Sequence, residues 1–215
     1  MHESLRVTWR VTPLQPPLVR RHCSRCSGEM PFACSLKFRT NAHKKRIDVW
    51  LIYRCTACAE VWNLPIFERV GIADLPPHTF DAIARNDPDL ALRLAFHRCL
   101  LERHGVHVED CPEAAVEWQV ASGQPETPRT ARISIRIIKP WRVRLDRLLA
   151  QQLGVGRTGL ARLHEGGQLT TLPSCRNALR HAAIDGQQIG ITLGRDPVGV
   201  RLLETIRTRI DSGPG

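Results

Sequence analysis

Leu5, Val7, Trp9 and Val11 alternate with Arg6, Thr8, Arg10 and Thr12, the period-two pattern of a strand with one buried face, and Pro13, Pro16 and Pro17 end it. The alternation returns in Cys34, Leu36 and Phe38 against Lys37 and Arg39, and again in Ile47, Val49, Leu51 and Tyr53 after a polar turn, which predicts a β-hairpin. Val116, Trp118 and Val120 alternate as well, as do Ile133, Ile135 and Ile137. The loop between them, Gly123-Gln-Pro-Glu-Thr-Pro128, predicts a second hairpin with Arg132 and Arg136 on its solvent face. Helical spacing appears elsewhere. Asp87-Pro88-Asp89 reads as a cap, a first-turn proline and a dipole-matched acid, so a helix is expected over 88–104 with Leu90, Leu94 and Leu101 buried, preceded by a shorter one over 78–85. Leu145, Leu148, Leu149 and Leu153 form one stripe that Gly154 ends, and a second short helix runs from Arg157 to His164. Asp185-Gly186 then turns the chain into a final strand up to Leu193. A last helix follows Asp196-Pro197 with Val200, Leu203 and Ile210 on one side, and 211–215 are expected to be loose. The fold class is α+β.

A chain of 215 residues, 42% apolar and 24% charged, has room for two compact modules, which excludes wholesale disorder. No stretch of eighteen uncharged apolar residues occurs and no basic-then-apolar leader opens the chain, so neither a membrane span nor a secretory signal is expected, and the cytoplasm is the expected compartment. The net charge of +10 is unevenly spread. Residues 1–70 hold twelve bases against five acids, 71–125 four against nine, and 126–215 fifteen against seven. Two basic ends around an acidic middle point to modules with different tasks, and a basic module commonly meets phosphate.

Cysteine spacing carries the strongest chemistry. Cys23-Ser-Arg-Cys26 and Cys55-Thr-Ala-Cys58 each let a tight turn present two sulfurs to one ion, and together they complete a tetrahedral four-thiolate site for a structural Zn2+. Mononuclear iron takes the same ligands. With all four positions filled by sulfur there is no open place for a water, so metal hydrolysis is disfavoured. Arg20, Arg21, Arg25 and Arg54 flank the ligands, and the hairpin tip gathers Lys37, Arg39, Lys44, Lys45 and Arg46 into a possible second basic contact. His97, Cys99, His104, His107 and Cys111 are close in sequence, but His97 and Cys99 stand two apart on a helix and diverge, so no second metal is expected. Cys34, Cys99, Cys111 and Cys175 are read as small packed hydrophobes.

The run from Lys37 to Cys55, Lys-Phe-Arg-Thr-Asn-Ala-His-Lys-Lys-Arg-Ile-Asp-Val-Trp-Leu-Ile-Tyr-Arg-Cys, with Trp62-Asn63, resembles a bacterial family known as domain of unknown function 1062. The resemblance covers most of the chain and implies a bacterial source and a zinc ribbon, with no assigned activity.

Further on, Arg144-Leu-Asp146 with its leucines, Gly154-Val-Gly-Arg157 with Gly167, and Asp185-Gly186 with Ile189 and Ile191 are similar to the alpha-L RNA-binding motif of ribosomal small-subunit protein S-four, pseudouridine synthase appendages and heat-shock RNA-binding proteins. Gly156 departs from the usual serine, and Leu172-Pro-Ser-Cys175 from the usual Val-Asn-Gly turn. The resemblance implies that Arg157 faces RNA, joined by Arg142, Arg144, Arg147 and Arg162. The same stretch, 145–163, also fits a helix-turn-helix of a DNA-binding transcription regulator, and a protein-interaction module without nucleic acid is a third reading.

The expected organisation is therefore a zinc ribbon over 1–70, a helical segment with a β-hairpin over 71–139, an alpha-L RNA-binding-like module over 140–195, and a helix with a tail over 196–215. Phosphate loops, nucleophile elbows and His-Glu-x-x-His are absent from the sequence, so no enzyme is expected. The expected function is a zinc-containing RNA-binding accessory protein that contacts structured or ribosomal RNA through phosphate, with DNA the lesser candidate and no membrane partner.

Overall fold

Leu5, Val7, Trp9 and Val11 do turn inward from a strand, β1 (Ser4–Pro13), but its partners come from the far end of the chain. β1 lies between β7 (Ala114–Ser122), to which it is antiparallel, and β8 (Thr130–Ile137), to which it is parallel. The expected hairpin of β7 with β8 therefore does not form, because the first strand is inserted between the two. These contacts come from a computed structural model that describes residues 4–111, 113–123, 128–140, 142–194 and 197–211. Expectations for the loop at 124–127, for Asp196 and for the tail at 212–215 lie outside the described residues.

The chain divides into two units, Met1–Leu14 together with Pro112–Gly215, and Gln15–Cys111. The boundaries expected at 70, 139 and 195 do not separate packed units: hydrogen bonding takes β1 out of the ribbon, and the helices after residue 70 pack onto the ribbon's own sheet.

In the first unit the sheet order is β7-β1-β8-β10-β9, where β9 is Leu169–Leu172 and β10 is Gln188–Thr192. One face of this sheet carries Leu5, Val7, Trp9, Trp118, Ile133, Ile135, Ile189 and Ile191. They pack with Leu145, Leu148, Leu149 and Leu153 of α4 (Leu145–Leu153), Leu160 and Leu163 of α5 (Arg157–Glu165), and Leu202 and Ile206 of α6 (Pro197–Asp211). Trp9 and Trp118 meet at 4.8 Å between ring centroids, and the Trp118 indole N–H donates to buried Gln152 Oε1 at 3.1 Å, which satisfies a polar atom the core would otherwise strand. Gly154 ends α4 at φ +65°, a left-handed cap that glycine adopts without Cβ strain.

The second unit is an antiparallel sheet of order β5-β4-β3-β2-β6, built from β2 (Leu18–Cys23), β3 (Gly28–His43), β4 (Arg46–Cys55), β5 (Val61–Gly71) and β6 (His107–Glu109). The expected hairpin is β3 with β4, interrupted by a register shift between Cys34 and Phe38. Val19, Phe32, Val49, Leu51, Tyr53 and Leu64 form its inner face with Ile83 of α1 (Pro77–Ala84), Ala91 and Ala95 of α2 (Pro88–Ala95) and Leu101 of α3 (Arg98–Arg103). The single helix expected over 88–104 is thus two. Phe96 closes α2, and the His97 ring nitrogen Nδ1 accepts from Leu100 N at 3.1 Å, starting a new helix.

Candidate metal centre and basic surface

Cys23 ends β2 and Cys55 ends β4, and each strand end leads into a two-residue turn that returns a second cysteine, Cys26 or Cys58, before the next strand begins. Backbone bonds fix the second turn: Cys55 N donates to Glu60 O and Ala59 N to Cys55 O, both at 2.9 Å, while Thr56 N donates across to Pro31 O at 3.0 Å. The four Sγ atoms lie within 4.8 Å of one another, with Cys23 to Cys58 at 3.5 Å and Cys26 to Cys55 at 3.9 Å. A tetrahedron with zinc–sulfur bonds of about 2.3 Å has edges of about 3.8 Å, so the sulfurs already stand at the corners such an ion requires. This is a structural Zn2+ site in a zinc-ribbon-like module.

Protons are unevenly held when the thiols share this space without an ion. Burial pushes the Cys55 thiol up, but the backbone N–H groups of Cys58 and Ala57 and the neighbouring thiols outweigh it and bring the group down to about 7. Cys26 is pushed up to about 12, first by its hydrogen bond to Cys58 and then by burial. A dication displaces these protons, so metal loading competes with acid. Four thiolates and one Zn2+ leave a charge near −2, and Arg21 interacts with Cys23 while its guanidinium lies 4.4 Å from the Trp62 ring centroid and 5.7 Å from that of Phe32. Burial lowers the Arg21 pKa, and the charge of Cys23 opposes that fall. Of the other flanking arginines, Arg20 faces Glu109 at 3.6 Å instead.

The cysteines outside the site have separate fates. Cys34 is half-buried beside the bulge in β3, accepting from Leu36 N at 3.4 Å, and burial pushes its thiol up to about 11. Cys111 Sγ lies 3.6 Å from Pro16 O. Cys99 and Cys175 are exposed, which corrects the expectation that all four pack as small hydrophobes: Cys99 lies on the outer side of α3, and Cys175 lies in the loop after β9. Among the described residues the metal-ligand grouping consists of Cys23, Cys26, Cys55 and Cys58.

All five arginines expected to meet RNA are exposed. Arg144 differs from the rest. Its guanidinium forks onto the carboxylate of Asp146, Nε to Oδ1 at 3.1 Å with Nη2 on Oδ2, and the Asp146 side chain is only 8% exposed. Arg142, Arg147, Arg157 and Arg162 have no ion pair among the described residues. Arg157 opens α5 behind Gly156, which offers no side chain to cap the helix amides. Lys44, Lys45 and Arg46 are exposed at the β3–β4 tip, while Arg39 is exposed further down β3 and Lys37 at its register shift, so the structure does not gather all five at the tip. Arg39 lies 5.8 Å from the ring centroid of its cross-strand partner Trp50, and Arg46 Nη1 donates to Arg69 O at 3.0 Å.

The family profile described as Protein of unknown function (DUF1062) matches residues 40–174, well over half of the chain. The chain belongs to the DUF1062 family. No curated protein and no solved structure matches it. The matched stretch starts within β3, so this DUF1062 protein carries Cys55 and Cys58 inside the family region and Cys23 and Cys26 ahead of it. The match runs on through α4, α5 and β9 in the other unit, and so is not confined to the ribbon. No helix among the described residues is long and apolar enough to cross a membrane.

Proposed function

We propose that this DUF1062 protein is a non-enzymatic, cytoplasmic RNA-binding accessory protein in which zinc holds one unit together and the other contacts structured RNA through phosphate. The observation that carries this reading is the set of exposed, acid-free arginines Arg142, Arg147, Arg157 and Arg162 along α4, α5 and their approach. Charge supports it: the first unit holds 17 Lys and Arg against 10 Asp and Glu, a net +7, and the second holds 14 against 11, a net +3. The helix pair leading into the antiparallel β9 and β10 supports the likeness to the alpha-L motif, whose second helix meets phosphate at its start. Aromatic residues are 5% of the chain, which leaves little for base stacking and favours the backbone as ligand.

The test is fluorescence anisotropy of the zinc-loaded protein with a mixed-sequence RNA hairpin and with duplex DNA of the same sequence. Tighter binding to the hairpin supports the proposal. Sequence-dependent, tighter binding to the duplex would instead establish a helix-turn-helix over 145–163, and no binding to either would leave a protein-interaction module.

A further inference from the structure

The sheet of the first unit has a second face, turned away from the core and its helices. β1 presents Arg6, Thr8, Arg10 and Thr12 there, and β8 presents Thr130, Arg132, Ser134 and Arg136. Because the two strands are parallel and in register, Arg6 stands beside Arg132, Thr8 beside Ser134, and Arg10 beside Arg136. Neighbouring strands are about 4.8 Å apart, and four residues along a strand span about 13 Å, so the face carries two side-by-side arginine pairs with hydroxyls between them.

Like charges directly opposite each other on a sheet are unfavourable. Two of the four arginines are relieved: Arg10 meets Glu117 at 3.3 Å and Arg136 meets Asp185 at 3.6 Å. Arg6 and Arg132 have no acid among the described residues, although they form one of the pairs. On its other side Arg132 is paired with Gly190 of β10. The Thr170 side chain of β9 reaches over Gly190, its Oγ1 2.5 Å from where a Cβ would stand, so a hydroxyl and not an acid flanks Arg132 on this side. The positions facing outward from β1, β7, β8 and β10 hold no aromatic residue, so a base has nothing to stack upon there.

We infer that this open face is a second phosphate-binding surface, across which the backbone of the bound RNA passes over Arg6 and Arg132. The inference rests on the RNA reading above and extends it to a face that the helix pair does not form. Two guanidiniums side by side offer paired N–H donors for the oxygens of one phosphate, and the anion removes their mutual repulsion. Thr8 and Ser134 add hydroxyls within the same stretch for sugar or phosphate oxygens. Such contacts carry no base information.

The experiment uses the full zinc-loaded chain with the RNA hairpin over a salt series. The double variant Arg6→Gln/Arg132→Gln is expected to bind about tenfold more weakly near 0.1 M salt, with the slope of log affinity against log salt flatter by about 0.9, the loss of the one phosphate the pair holds. Its melting temperature is expected to be equal to or above that of the parent, since a repulsive pair has been removed. Glu117→Gln, which frees Arg10, is expected to tighten binding and steepen the slope by about 0.9, a gain that a folding defect cannot mimic. Unchanged affinity and slope in both variants, while Arg157→Ala weakens binding, would overturn this inference and leave the RNA reading standing. Failure of the parent to bind RNA would overturn both. Loss of binding to phosphatidylserine vesicles with RNA binding unchanged would assign the face to a membrane surface and overturn the inference as well.

Discussion

Ser27 and Ala59 occupy matching places, each one residue past the second cysteine of its pair, and both take left-handed backbone conformations, with φ of +55° and +61°. The two turns thus bend alike to bring two sulfurs each toward one point, at positions where a side chain is disfavoured by about 1–2 kcal/mol relative to glycine. Both residues are exposed, so neither side chain contributes packing that would be lost on truncation. Ser27→Gly and Ala59→Gly are expected to stabilise the zinc-loaded protein by up to about 1 kcal/mol each, after the larger backbone entropy of glycine is set against the relief. Denaturant unfolding at saturating zinc checks this. A loss of stability in both variants would mean that the turns are held by something other than the backbone bend.

Freshly purified, reduced protein is expected to hold one zinc per chain, measured by elemental analysis. Serine at Cys23, Cys26, Cys55 or Cys58 should abolish stoichiometric binding and unfold the second unit, because a site of this kind couples metal binding to folding. Acid should release the metal, since the thiols that zinc keeps ionised, Cys26 above all, regain protons as pH falls. Iron with a visible charge-transfer band would replace zinc in this account.

Thiol labelling separates the eight cysteines into classes. Cys99 and Cys175 are exposed and should react first, whereas Cys34, pushed up to about 11 by burial, has little thiolate near neutral pH and should react slowly. Chelation of the zinc unfolds the second unit and should release its remaining thiols together, the four ligands with Cys34 and Cys111. The pair Cys99→Ser and Cys111→Ser should leave metal content at one equivalent, and a fall would reveal a second site in that stretch.

Arg144 and Arg157 should fail in different ways. Arg157→Ala is expected to weaken hairpin binding for all sequences alike and to flatten the salt slope by about 0.9, as one lost phosphate contact does. Arg144→Ala removes the partner of a nearly buried carboxylate and should cost about 1–2 kcal/mol of stability, with a smaller change of slope. Chemical denaturation beside the salt series distinguishes them. Equal slope changes in both variants would show that Asp146 does not hold Arg144 away from RNA.

Alternation along the chain located β1, the β3–β4 hairpin, β7 and β8, because period-two burial is a local property, and the Asp185-Gly186 turn located β10. Pairing is not. Three alternating strands can be ordered in several ways, and nothing near Val116 or Ile133 announces that Trp9 will lie between their strands. The break after α2 was hidden because histidine is an unusual cap, so His97 looked like one more position on the helix. The four sulfurs were legible because a ligand set depends on residue type and turn length alone. Arg21 was named as a neighbour of the site, but its stacking on Trp62 depends on β5 lying beside β4, which the spacing of cysteines does not encode. The pairing of Arg144 with Asp146 likewise depends on how far Asp146 is buried, which composition leaves open.

The insertion of β1 between β7 and β8 has a consequence for biosynthesis. The strand emerges from the ribosome before its partners, since both its hydrogen-bonding neighbours lie between residues 114 and 137, after the whole of the Gln15–Cys111 unit. Until they are made, Leu5, Val7, Trp9 and Val11 form an apolar edge without a ladder, the kind of segment that joins stray strands or recruits a holdase. Translation order thus lets the metal-binding unit reach its fold while its flanking strand waits.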